Sequence, residues 1–332
     1  MNPTENFDLV AIGDITTDAF IRIKEADIHC QVNKEDCQIC MRFGDKIPYE
    51  SVTVVPAVGN SPNAATSAAR LGLKTALVTN LGADRDGDEA LAELTKNGID
   101  TTLIARHADK KTNYHYVLWY HDDRTILIKH EEYPYRLPAI GTPRWIYLSS
   151  LGENSLPFQH EIADYVKRNP SIKLAFQPGT FQIKNSRELA DVYAVTEIFF
   201  CNVEEAKRIL GTTGSEIKEL LTGLAALGPK IVIVTDGARG AYAYSAETGA
   251  WFMPPYPDPK PPLERTGAGD SFASTVTAAL ALGKTLPEAL AWGPINSMSV
   301  VQHVGAQAGL LPRAELERYL GQAPTDYTAR PL

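Results

Sequence analysis

Glu264-Arg265-Thr266-Gly267-Ala268-Gly269-Asp270-Ser271-Phe272 joins two glycines and a carboxylate to the start of an apolar run. Ser271 to Leu282 is small and apolar, and Gly283 closes it. Phe272, Val276, Ala279 and Leu280 recur at helical spacing, which predicts a buried helix. The Gly-Ala-Gly segment then falls at the helix N-terminus, where backbone N–H groups lack intrahelical partners and the dipole end is positive. Glycine lets an anion come close to that backbone. An aspartate in the same turn can touch whatever reacts with the anion. The stretch is thus an anion cradle with a general base beside it, or a helix start with a capping acid.

The residues before the motif point to an open α/β sheet. Phe7 to Ile12 is a short apolar run ending at Gly13, and further buried strands are expected at Thr75–Thr79, Trp145–Leu148, Leu174–Phe176, Ile198–Phe200 and Ile231–Val234. Helical runs lie between them, at Ala64–Leu71, Glu89–Lys96, Glu161–Arg168, Glu204–Leu210 and Glu216–Leu227. That order predicts a three-layer α/β sandwich with a mostly parallel central sheet flanked by helices. Helices at Leu286–His303 and Arg313–Leu320 complete its core. Ligands bind such sheets at the carboxyl ends of the strands. Asp18, just past the first strand, is either an acceptor for a ligand hydroxyl or a turn residue. Ser61-Pro62 predicts a helix N-cap and first turn.

Two stretches break the pattern. Phe20–Ile23 and Ser51–Val55 alternate, as do Thr112–Leu118 and Thr125–Lys129 with a turn at His121–Arg124. They predict antiparallel strands outside the main sheet, a small β lid. The expected organisation is a large domain from 1–18, 57–106 and 138–325, a lid from 19–56 and 107–137, and a loose tail at 326–332. Pro254 to Pro262 is an extended surface approach to the opening motif.

The net charge of −8 over 332 residues argues against nucleic acid as a partner. No run of 18 apolar residues suggests a membrane span, and Met1 to Asp8 lacks an apolar signal core, so a cytoplasmic protein is expected. Four cysteines make no disulfide framework. Cys30, Cys37 and Cys40, with His29, are either a zinc cluster or thiols on strand faces. Gly283-Lys284-Thr285 lacks the earlier glycine of a phosphate loop and is a helix end.

Several motifs in order resemble the ribokinase-like (PfkB) carbohydrate kinases over roughly residues 7 to 320. Thr266-Gly267-Ala268-Gly269-Asp270 is similar to that family's C-terminal signature; Gly59-Asn60-Ser61-Pro62-Asn63 to its N-terminal motif; Asn202-Val203-Glu204-Glu205 to its Asn-x-x-Glu. The resemblance implies an ATP- and magnesium-dependent kinase. Asp270 is then the base, and the backbone of Gly267, Ala268 and Gly269 the anion hole. Asp18, Gly59, Asn60 and Asn63 would bind the sugar. Asn202, Thr235, Gly237, Gly240, Thr266 and Asn296 would lie along ATP, and Glu205 would reach magnesium through water. Ribose is the first acceptor, with adenosine-like nucleosides and fructose-type sugars as alternatives. The family also implies a dimer through the lid. A non-catalytic sugar- or nucleotide-binding protein is the competing class, and an intact Asp270 disfavours it. Four residues depart from the family: Val58 for a glycine, Gln177 for an asparagine, and Glu264-Arg265 for Asp-Thr. That aspartate belongs to a monovalent-cation site, so Glu264 leaves potassium activation open.

Overall fold

Apolar runs of four or five residues, fully buried where they are central, line up as the middle of a nine-stranded sheet. The computed structural model describes residues 6–29, 38–120 and 123–332. The strands lie in the spatial order Arg330–Pro331, Gly249–Met253, Ala241–Ser245, Ile231–Thr235, Thr196–Asn202, Lys173–Phe176, Trp145–Leu148, Leu9–Ile12 and Thr75–Val78. The last six are parallel. Side-chain alternation splits each central strand between two cores. Leu9, Ala11, Trp145 and Tyr147 face the helices Asn60–Arg70, Ala268–Ala281 and Leu286–Val300. Val10, Ile12, Ile146 and Leu148 face the helices Leu156–Arg168, Val203–Leu210 and Ile217–Ala225. Burial on both faces explains why these strands are unbroken apolar runs, and the expected three-layer architecture is present.

The lid is a four-stranded sheet in the order Asp123–Leu127, Asn113–Tyr120, Thr16–Ile23, Tyr49–Val58. Two differences from expectation matter for function. The central pair, Thr16–Ile23 with Asn113–Tyr120, is parallel, and it sets Asp18 opposite His115. Asp18 is therefore neither in a turn nor at a domain edge. The lid strand already begins at Thr16, because β-branched Thr16 and Thr17 extend it back to the core. Arg124 sits inside a strand rather than a turn, paired with Trp119.

The segment 326–332 is not a loose tail. Arg330 and Pro331 pair with Phe252 and Trp251 at the sheet edge. The Tyr327 hydroxyl donates to the Ala291 carbonyl at 2.6 Å. Ser61 is not the helix cap either. Gly59 occupies that position with φ 123°, and the buried Ser61 hydroxyl meets Ser149 Oγ at 2.5 Å. Cys30 and Cys37 lie outside the described residues, so the cysteine cluster is not assessed beyond Cys40. No helix among the described residues is long and apolar enough to cross a membrane.

Candidate active site

The opening stretch folds as a helix N-terminus. Gly267 caps the helix Ala268–Ala281 in the left-handed conformation, φ 77°. A Cβ there would lie 2.3 Å from the Ala306 Cβ, so both backbone angle and space require glycine. At Gly269 a Cβ would meet nothing within 4 Å, and the backbone there is open to an incoming anion.

Asp270, in the first helical turn, is held by three amides. Asn60 Nδ2 donates to Oδ1 at 2.9 Å, Asn63 Nδ2 to Oδ2 at 2.9 Å, and Gln177 Nε2 to Oδ1 at 3.0 Å. Asn60 and Asn63 stand three apart at the start of their helix, hence on one face. Because Gly59 rather than Asn60 is the cap, both amides are free to reach across. Two of these donors are themselves aimed. The Tyr147 hydroxyl donates to Gln177 Oε1 at 2.5 Å, and Gln307 Nε2 donates to Asn63 Oδ1 at 3.0 Å. Burial pushes the Asp270 carboxyl above the usual aspartate range. The Asn63, Gln177 and Asn60 amides and the charge of Arg124 pull it back in part. A carboxylate so oriented and raised suits proton abstraction from an alcohol.

Asn202 and Glu205 form a reciprocal capping box: Asn202 Oδ1 accepts from Glu205 N and Glu205 Oε2 from Asn202 N, each at 2.9 Å. The capping reading of Asn202 is thus seen directly. Burial raises the Glu205 pKa, the Asn202 N–H lowers it, and the nearby Asp270 charge raises it again. Glu205 therefore belongs to the same neighbourhood as Asp270.

A cleft of 230 Å³ ends at Ala268 and Gly269. Thr235, Gly237 and Gly240 line one side, Ser297, Met298 and Val301 the other, and Pro255, Tyr256 and Pro262 of the proline-rich segment close it. The proline segment is thus a cleft wall as well as an approach to the motif. Thr266 Oγ1 is buried with no hydrogen-bond partner among the described residues. Asn296 requires correction. Its side chain is fully buried, donating to Thr275 Oγ1 at 2.8 Å and accepting from Leu311 N at 2.9 Å. It is spent inside the core, and the next residue, Ser297, faces the cleft.

Glu264 is a tether. Its two oxygens accept from Thr266 N and Gly305 N, each at 2.9 Å, tying the glycine turn to the loop that packs on Gly267. Asp18 lies on the lid's inner face, its Oδ1 3.4 Å from His115 Nδ1. A larger surface cavity, 590 Å³, near Lys184, Arg187 and Arg208 shares no lining residue with the Asp270 cleft.

Gln177 is the residue that sequence reasoning undervalued. It stood out as a departure from a pattern, and that departure was the signal: a longer amide replaces a shorter one and still reaches the carboxylate.

Comparison with known proteins gives a consistent set. The profile of the pfkB family carbohydrate kinases matches residues 23–314. The chain is 27% identical to a nucleoside kinase of Methanothermobacter thermautotrophicus, covering 80% of this chain and 84% of that protein. It is also 27% identical to the ribokinase of Bacillus subtilis, covering 84% and 92%, and to the 5-dehydro-2-deoxygluconokinase of the same organism, covering 80% and 87%. Among solved structures, Arabidopsis thaliana ribokinase complexed with ribose and ATP superposes with a TM-score of 0.79 at 19% identity, over 95% of this chain and 99% of that one. The nucleoside kinase of Methanocaldococcus jannaschii gives 0.76 at 16% identity, over 96% and 100%.

Proposed function

The chain belongs to the pfkB family of carbohydrate kinases, phosphotransferases with an alcohol group as acceptor, and we propose that it transfers the γ-phosphoryl group of ATP to a primary hydroxyl of a small furanose-type sugar, ribose first. The observation that carries this reading is the placement of Asp270. A carboxylate aimed by three amides stands in the first turn of a helix whose open N-terminus ends a cleft.

Phosphoryl transfer asks mainly for positioning and charge neutralisation. ATP would lie along Thr235, Gly237 and Gly240, with Thr266 and the N–H groups of Gly267, Ala268 and Gly269 at its phosphates. Those N–H groups meet charge developing on the transferred oxygens. Asp270 takes the proton of the acceptor hydroxyl as that oxygen attacks the γ-phosphorus, while the bond to the bridging oxygen breaks and ADP leaves. Asp18 and the Gly59–Asn63 turn hold the sugar. The Glu205 carboxylate is an oxygen donor of the kind Mg²⁺ takes, and Mg²⁺ keeps most of its water shell; Glu205 would hold it through water, and the Asn202 N–H fixes that carboxylate. Bound magnesium supplies neutralisation of phosphate charge. The lid, 19–56 and 107–137, would exclude water as a competing acceptor.

The relatives' names divide among nucleoside, ribose and a dehydrogluconate at the same 27% identity, so identity alone does not rank them. An ATP-consumption screen over ribose, fructose, adenosine, cytidine and a sugar acid tests the reading, with acceptor-dependent turnover highest on ribose. No stimulation by any acceptor would overturn it.

A homodimer through the lid is part of the same proposal. Val52, Val54, Tyr116 and Leu127 form an apolar stripe on the outer lid face, each 45–52% exposed. The register brings Val54, Ala19, Tyr116 and Leu127 into one row. Such a face invites a partner. Light scattering should give twice the chain mass, and Val54→Lys should halve it; a wild-type monomer at micromolar concentration would refute the dimer. The net charge of −8 supports a small-molecule acceptor rather than nucleic acid.

A further inference from the structure

Three buried polar atoms without a hydrogen bond among the described residues gather where the lid meets the large domain: Asp18 Oδ1, His115 Nε2 and His130 Nδ1. Asp18 and His115 are cross-strand partners on one lid face, with the carboxylate 3.4 Å from His115 Nδ1. The two imidazole rings are 5.3 Å apart, edge to face. His130 Nδ1 stands 3.7 Å from Asp14 Oδ2, while both Asp14 oxygens accept the Tyr135 hydroxyl at 2.9 Å. On its other side His130 meets Phe181 edge-on at 5.8 Å.

This cluster adjoins the catalytic floor. Phe181 is four residues beyond Gln177, which donates to Asp270. Gly59, next to Asn60, approaches Asp14 so closely that a Cβ would lie 2.8 Å from the Asp14 carbonyl oxygen. Arg124 shares the inner lid face with His115 and Trp119, and its charge reaches Asp270.

A buried polar atom without a partner is destabilising, and folded proteins keep few of them. Three at one junction mark a place meant for a polar guest. The donor–acceptor inventory says which guest. Asp18 Oδ1 needs a donor, and each imidazole nitrogen needs a complementary group. A sugar hydroxyl donates and accepts at once, so one polyol satisfies all three. A phosphate or carboxylate on the acceptor brings no donor and places negative charge against Asp14 and Asp18. A nucleobase needs an apolar slot, and this wall is two imidazoles and two carboxylates with the single ring of Phe181 behind His130. We infer that His115 and His130 bind the hydroxyls of the acceptor at the end away from the one phosphorylated, so that the acceptor is an uncharged free sugar rather than a nucleoside or a sugar acid. This rests on the kinase reading above and narrows it.

The test is steady-state kinetics of the full chain with ATP and the acceptor panel. Wild-type enzyme should prefer a free sugar by at least tenfold in kcat/KM. His115→Ala and His130→Ala should each raise the KM for that sugar about tenfold, the worth of one hydrogen bond. In both variants kcat should stay within about threefold and the KM for ATP within about twofold. His115→Gln and His130→Asn place an amide nitrogen near the lost ring nitrogen and should recover most of the sugar KM. An unchanged sugar KM, or a loss shared equally with ATP and not recovered by the amides, would overturn the assignment. If the alanine variants do not fold, the amide variants and the wild-type acceptor ranking decide. A tenfold preference for a nucleoside or a sugar acid refutes this inference and leaves the kinase reading standing. No acceptor-dependent turnover at all removes both.

Discussion

The floor of the site and the lid junction above it are built on opposite terms. At the floor, Asp270 has both oxygens occupied by amides, and two of those amides are themselves fixed by Tyr147 and Gln307. At the junction, Asp18, His115 and His130 each leave a buried polar atom unmet. A satisfied network holds one geometry, as chemistry common to every turnover requires. An unsatisfied one reserves its hydrogen bonds for the molecule that completes it. On the proposed reading the difference separates catalysis from selection: the floor would set how fast a bound hydroxyl reacts, and the junction which hydroxyl is bound.

That contrast can be broken most directly at the floor. Asp270→Asn keeps the shape and two of the hydrogen-bonding positions but removes the base. Turnover should fall by about 10²–10⁴-fold, with nucleotide binding retained in a titration by calorimetry. Near-normal turnover would remove Asp270 from its role. A smaller effect is expected at Gln177→Ala, which takes away one amide donor to the ionised carboxylate. The loss of a hydrogen bond to a charged group should cost about tenfold in kcat. Its sign with pH is fixed. The base acts when ionised, and the donor stabilises that form, so without it the Asp270 pKa rises further above the ordinary range. Activity should then be lost at a higher pH than in the wild type as pH falls. An acid limb of the pH–kcat profile that does not move would mean the amide positions Asp270 without tuning it. The junction variants should leave that limb in place and move only the sugar KM, the smallest effect of the three and the one that separates the two regions.

Much of this was legible in the chain. The glycine turn and the buried helix behind Asp270 followed from local spacing, whereas the one-face placement of Asn60 and Asn63 came only with a helix that starts at Asn60. The parallel sheet followed from short apolar runs alternating with helices. Other features left no such trace. The helix Leu286–Val300 is apolar nearly all round, so no stripe fixes its rotation, and the cleft-facing residue was misjudged by one, Asn296 for Ser297. The edge strand Arg330–Pro331 is too short for periodicity and exists because Gly249–Met253 offers it a free edge. His130 lies in a polar segment with no pattern, between the lid and the strand Trp145–Leu148.

By itself the sequence determined the local features of this protein: which glycine turn starts the helix, which carboxylate stands in its first turn, and which runs become strands or helices. Those depend on neighbours within one or two turns, and periodicity records them. Only the tertiary structure decided that Gln177, 93 positions away, and Asn60, 210 positions away, meet on Asp270. It also decided that a parallel lid pairing sets His115 against Asp18. Such meetings depend on strand order and register, which no local pattern carries.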